Sequence, residues 1–138
     1  MKSVLKKHIV IIFVVGFMTG CAIFNSAISY SQFFDRIEES NDPTYGYTDN
    51  NPILIKNGDA SSSIGSSYYF LSRLRTEKGN KFQILMQACR ENPNYGTGPL
   101  IDVYLLKSVN ENDTIKLYIN PYFGGKVKIP VGLSFEKE

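Results

Sequence analysis

Tryptophan is absent from this chain, histidine occurs once and cysteine twice among 138 residues. Each shortage excludes a class of chemistry. The one histidine, His8, lies in a stretch that reads as a removable leader. Without it the chain has lost the commonest general base near neutral pH and the commonest neutral metal ligand. Ser-His-Asp and Cys-His catalysis are thereby excluded, and zinc would find only Cys89 and carboxylates, a poor donor set. No glycine-rich phosphate loop occurs, since "YGTGP" has too few glycines in the wrong context. No cofactor is expected.

The N-terminus is richer in information. Lys2, Lys6 and Lys7 precede an uncharged run from Ile9 to Met18, and small residues follow before Cys21. A basic start, about ten apolar residues and a small-residue end describe an export signal. At about 1.5 Å per residue, ten residues are too short for a hydrocarbon core of roughly 30 Å. Met18-Thr19-Gly20-Cys21 resembles the lipobox of bacterial lipoproteins. That resemblance implies a diacylglyceryl group on the Cys21 sulfur and cleavage that leaves Cys21 at the N-terminus. Two or three fatty chains, at roughly 0.8 kcal/mol per buried CH₂, would hold the protein on a membrane. Loss of residues 1–20 takes away three of the fifteen basic residues and none of the thirteen acidic ones, so the remaining charge is −1. Such a balance offers no basic surface for nucleic acid. With Cys21 acylated, Cys89 is the one remaining thiol and no intramolecular disulfide can form.

Three segments are expected: a signal over 1–20, a lipidated N-terminus and tether over 21–41, and one domain over 42–138. In the tether, Phe33, Phe34 and Ile37 have helix-like spacing, but the stretch is too short for a stable isolated helix. Ile53-Leu54-Ile55 reads as a short strand ended by Asn57-Gly58-Asp59. Ser66 or Ser67 can cap a helix whose one face carries Phe70, Leu71 and Leu74, with Arg73 and Arg75 pointing away and Gly79 near its stop. In "KFQILMQAC" the alternation places Phe82, Ile84, Met86 and Ala88 on one side, and Gln83, Leu85, Gln87 and Cys89 on the other. "LIDVYLLKS" and "TIKLYINPY" form a hairpin across "VNEND", with Leu117, Ile119 and Tyr122 toward the core, and "KVKIP" closes the domain. The expected fold is α+β: a small antiparallel sheet of four to five strands with one helix on a face.

Candidate chemistry is sparse. Asp102 lies between Ile101 and Val103 on the same side as Tyr104, where it could act as a general base if buried, together with a lysine or tyrosine. Lys107, Lys126 and Lys128 near strand ends read as guards against edge pairing. Asn57 and Asp59 offer oxygen ligands without a calcium-loop spacing and read as turn residues. The nine tyrosines are the strongest remaining signal. A phenol suits a sugar or peptide ligand and suits the rim of a small core equally. Tyr45, Tyr47, Asn51 and Tyr95 are the candidate binding residues. Gly46 permits a turn that presents Tyr45 and Tyr47 together, and Asn51 is held extended by Pro52.

"DPTYGYTDNNPILI", "YYFLSRL", "GNKFQILMQAC", "LIDVYLL" and "LYINPY", in this order, resemble a family of small lipoproteins common in Bacteroidota. The likeness runs from Asp42 to Phe135, and Tyr45-Gly46-Tyr47 with Asn51-Pro52 is its most specific part. Relatives tend to have two adjacent cysteines where this chain has Ala88-Cys89-Arg90. Many carry the label 2-dehydro-3-deoxyphosphooctonate aldolase. That chemistry resides in an eight-stranded (β/α)₈ barrel of typically about 250 residues, and this chain lacks both the length and the alternating βα units.

The expected role is therefore a non-enzymatic, lipid-anchored envelope module that binds a protein or glycan partner or serves a structural purpose. The alternatives are a histidine-free enzyme acting through Asp102, and an inhibitor presenting the loop from Arg90 to Pro99. Ala22 is not the aspartate that retains many lipoproteins at the inner membrane, and "AIFNS" lacks an acidic surface-export cluster. The expected location is the outer membrane, facing the periplasm.

Overall fold

A computed structural model describes Phe34 and residues 37–55, 63–94 and 100–137. The signal, Cys21 and most of the tether lie outside the described residues, as do Asn57, Asp59 and Tyr95. The elements in order are β1 (Glu38–Glu39), β2 (Ile53–Leu54), α1 (Ser63–Arg73), β3 (Leu74–Thr76), β4 (Phe82–Arg90), β5 (Ile101–Ser108), β6 (Thr114–Asn120), β7 (Lys128–Ile129) and β8 (Leu133–Phe135). The class is α+β, mostly sheet with one helix among the described residues.

The largest sheet has the order β2-β6-β5-β4, and pairs β1-β7 and β3-β8 flank it. The β5–β6 hairpin sets its centre, with Tyr104 opposite Leu117 and Asp102 opposite Ile119. The sheet is not wholly antiparallel, because β2 runs parallel to β6, with Ile53 opposite Ile119. No tight turn joins these two strands, so nothing in their connection imposes the antiparallel sense of a hairpin.

Helix α1 buries Ser67, Phe70 and Leu71, and Leu74 continues that line just past its end. The i, i+3, i+4, i+7 spacing puts them in one stripe, which packs with Tyr104, Leu106, Leu117 and Ile119 in a single core. Each fully buried large apolar side chain contributes roughly 1.5–3 kcal/mol, so this stripe anchors the helix.

The helix stops earlier than its pattern predicts. Leu74–Thr76 is strand β3, and Gly79, at φ +82°, serves the turn into β4. Thr76 N–H donates to the Asn80 carbonyl at 3.0 Å within that turn. Arg75 accordingly does not point away. It is 6 % exposed, donates to the Ser72 and Leu74 carbonyls at 2.7 Å each, and pairs with Glu136. Tyr122 is an outward residue, 46 % exposed, because the chain has already left β6.

The folded unit also begins before Asp42. Phe34 is 2 % exposed, stacked on Tyr69 at 5.6 Å and against Phe70 and Phe135 at 5.7 Å each. β1 lies parallel to β7, and Ser40 N–H donates to the Ile129 carbonyl at 2.8 Å. The end of the expected tether is thus part of the core, because its apolar residues find partners about a hundred residues later in the chain.

Candidate functional site

The alternation expected of β4 is broken by one residue. Ile84 faces Leu106, but Met86 faces Leu105, leaving Leu85 as a bulge. An extra residue exchanges the two faces of everything beyond it. Gln87 and Cys89 therefore join Phe82 and Ile84 on the helix side, opposite Tyr104 and Asp102, while Met86, Ala88 and Arg90 turn to the other side.

This exchange assembles a polar cluster. The Tyr104 hydroxyl donates to Asp102 Oδ2 at 3.3 Å, and the Cys89 thiol donates to Asp102 Oδ1 at 3.4 Å. Tyr68, on α1, meets the Tyr104 ring edge-on at 6.0 Å and donates its hydroxyl to Gln87 Oε1. Asp102 is 7 % exposed, and burial raises its carboxyl above the ordinary value while the two hydrogen bonds oppose the rise. Burial and the neighbouring Asp102 charge push the Tyr104 phenol far up. Desolvation and the Asp102 hydrogen bond likewise raise the Cys89 thiol, so it is held as a thiol, not as the nucleophilic thiolate.

Sequence reasoning found Asp102 and Tyr104 but missed Tyr68 and Gln87. Both are brought in by the bulge and the helix, neither of which leaves a periodic signal around Leu85. Among the described residues no lysine is bonded to the cluster, and no group of three acidic, cysteine or histidine side chains could hold a metal.

The clearest cavity lies elsewhere, at the other end of the long strands. It measures about 260 Å³, with Phe82, Ile115 and Leu133 as apolar lining and Glu77, Glu111, Asp113 and Lys78 among its polar residues. Glu111 is already engaged by Lys78 at 3.0 Å. Asp102, Tyr104, Cys89, Tyr68 and Gln87 are not among the residues lining this cavity.

The candidate binding residues occupy the loop before β2. Tyr45 and Tyr47 pack against the core. The Tyr45 hydroxyl accepts from Lys128 N–H at 3.1 Å, and the Tyr47 hydroxyl donates to the Val131 carbonyl at 2.8 Å. Asn51 Nδ2 donates to Asp42 Oδ2 at 2.8 Å and to Thr44 Oγ1 at 3.0 Å, tying the loop to its own start. The same loop reaches the far strand: Asp49 pairs with Arg90 at 3.0 Å, and the Asn50 carbonyl accepts from Asn94 at 2.9 Å.

The remaining surface feature is β4 itself. After its first residue, Phe82, every residue of the strand is exposed, including Ile84 at 37 %, Leu85 at 49 % and Met86 at 47 %. The sheet ends there, so beyond β3 the outer edge of β4 has no neighbouring strand among the described residues. Comparison with known proteins adds nothing to this geometry: no family model, no curated protein and no solved structure matches the chain.

Proposed function

We propose that this protein is a lipid-anchored envelope lipoprotein that acts as a non-enzymatic binding or structural module. In this reading Cys21 carries the lipid, the domain sits at the outer membrane facing the periplasm, and association runs through the β4 edge. The observation that carries the reading is the exposure of Ile84, Leu85 and Met86 on an edge strand whose outer side, beyond β3, has no neighbouring strand among the described residues. An open edge with apolar side chains is a template for strand addition. The Asp102 cluster favours the non-enzymatic reading, since its polar groups are spent on each other and lie outside the cavity between Phe82, Ile115 and Leu133.

Two measurements test it. A photo-reactive residue at Leu85, in cells making the full chain, is expected to give crosslinked species, whereas a label at Val131 is not. The absence of any adduct at Leu85, Met86 or Ala88 would remove the association reading. Labelling with a fatty-acid analogue is expected to require Cys21, and a Cys21→Ser chain that still labels would remove the anchor.

A further inference from the structure

We propose that the cavity at the hairpin end of the sheet is a binding site for a primary alkylammonium, and that Lys78 of the chain itself is its tethered competitor. The proposal is independent of the lipid anchor and of association at β4.

Three turns, over residues 76–80, 109–113 and 130–133, frame the cavity and are fastened to one another. Val109 N–H donates to the Lys81 carbonyl at 3.0 Å, and Asn110 Nδ2 donates to Asn80 Oδ1 at 3.0 Å. Ser134 Oγ, just past the third turn, donates to the Thr76 carbonyl at 3.2 Å. The rim is thus held in place before any ligand arrives, which spares an ordering cost of binding. Phe82, Ile115 and Leu133 form the apolar floor, continuous with the core. At about 260 Å³ the cavity falls just under the roughly 300–1,000 Å³ of drug-sized sites, so it suits a short carbon chain.

The charge above that floor has one sign in excess. The lining carries three carboxylates, Glu77, Glu111 and Asp113, against one ammonium, Lys78. An anion is repelled by this balance. A metal ion is not served either, because no three of the described acidic side chains are grouped to hold one. Negative charge over an apolar floor is the complement of a cation on a hydrocarbon stem. Among the described residues neither Glu77 nor Asp113 is in an ion pair. Glu77 Oε1 stands 3.8 Å from where a Cβ of Gly132 would lie, so its charge faces the third turn.

Lys78 shows what the rim accepts. Its ammonium lies 3.0 Å from Glu111 Oε1, and Glu111 raises it above its ordinary value, with the Asp113 charge adding to the effect. The Lys78 side chain is 79 % exposed and that of Glu111 only 18 %. Glu111 Oε2 also accepts from the hydroxyl of the buried Ser108 at 3.4 Å, which fixes the carboxylate. The acceptor is therefore built in and the ammonium is not. Rotation of the Lys78 stem into water frees Glu111 without disturbing the floor. An external alkylammonium then takes that place, with its carbons on Phe82, Ile115 and Leu133.

NMR of the full chain in neutral detergent micelles tests the site, with aminopentanol, a short chain bearing one terminal ammonium, as the probe. It is expected to shift the amide signals of Ile115, Gly132 and Leu133 saturably, while pentanediol and glutarate leave them in place. Lys78→Gln removes the competitor and is expected to tighten the probe about two- to fivefold, the worth of one exposed ion pair. Glu111→Gln is expected to weaken it by a similar factor. Nα-acetyl-lysine methylamide separates two sources of the same group. Binding as tight as that of aminopentanol would identify a lysine side chain on another protein, and weaker binding a free small amine. Equal shifts from pentanediol, or no saturation by aminopentanol, would overturn the proposal. So would a Lys78→Gln chain that binds no more tightly than wild type, or a Glu111→Gln chain that binds as well.

Discussion

Cys89 stands directly across the β4–β5 pair from Asp102, thiol to carboxylate at 3.4 Å, and it does so because Leu85 is skipped in the pairing. The consequence is a carboxyl boxed in by Cys89, Tyr104 and its own strand, with burial as the largest influence on its titration.

A carboxyl whose folded pKa lies above its unfolded one binds protons more readily in the fold. Its stabilising contribution is complete below the ordinary value of 3.8 and is lost as pH rises through the higher folded value. At neutral pH, then, the charge on Asp102 is a destabilising element. Asp102→Asn keeps an acceptor for Tyr104 or Cys89 and removes the charge. Its thermal midpoint is expected to exceed wild type at neutral pH, with the difference shrinking toward the acid side. A variant less stable than wild type at neutral pH would show that the hydrogen bonds to the carboxylate outweigh its desolvation.

Phe34 supplies a test of where the domain begins. Its ring contacts three aromatic neighbours, two of them, Tyr69 and Phe70, on α1 and one, Phe135, near the C-terminal end. Truncating such a ring is expected to cost about 3–5 kcal/mol, a large part of the stability of a small domain. Phe34→Ala should therefore shift the chemical denaturation midpoint strongly, whereas a residue in a mere tether would leave it in place.

Gly46 sits at φ +78°, and a Cβ there would lie 3.0 Å from Ile53 and 3.2 Å from Pro130. The left-handed backbone alone costs an L-residue about 1–2 kcal/mol. The contact adds to that, because Ile53 is fully buried and cannot withdraw. Gly46→Ala is expected to destabilise by about 2–3 kcal/mol, and urea titration measures it. A midpoint equal to wild type would mean that the loop can move off Ile53.

The parts legible in the sequence are those with a period. Phe70, Leu71 and Leu74 announce the buried helix stripe, and Leu117 and Ile119 announce the core side of β6. The bulge is illegible because Ile84, Leu85 and Met86 are consecutive apolar residues, so neither parity is preferred around the skipped position. Strands β1, β7 and β8, two or three residues each, are too short to show alternation. Phe34 shows as apolar, but its partner Phe135 is remote, and only tertiary packing tells a core aromatic from a tether residue. The Asp102 cluster is half legible: the strand alternation pairs Asp102 with Tyr104, while Tyr68 and Gln87 arrive by helix placement and bulge.

Tyr45 and Tyr47 flank the same glycine and hold different positions in the fold. Both rings pack on the core, and burial raises both phenols above their ordinary value. Truncation to alanine is expected to cost about 2–3 kcal/mol at each, less than a fully buried ring because part of each ring remains exposed. The hydroxyls separate the two. Tyr45 accepts the Lys128 N–H in partly buried surroundings, next to the core residues Val127 and Ile129. Tyr45→Phe strands that donor, and an unpaired buried donor costs about 1–3 kcal/mol. Tyr47 donates to the Val131 carbonyl in an exposed turn, where water can replace it, so Tyr47→Phe is expected to cost under about 0.5 kcal/mol. Denaturation of the four variants measures the order: both alanine variants well below wild type, Tyr45→Phe between, and Tyr47→Phe close to wild type. If both alanine variants unfold at the wild-type midpoint, the rings contribute nothing to the core and the loop becomes a surface for binding.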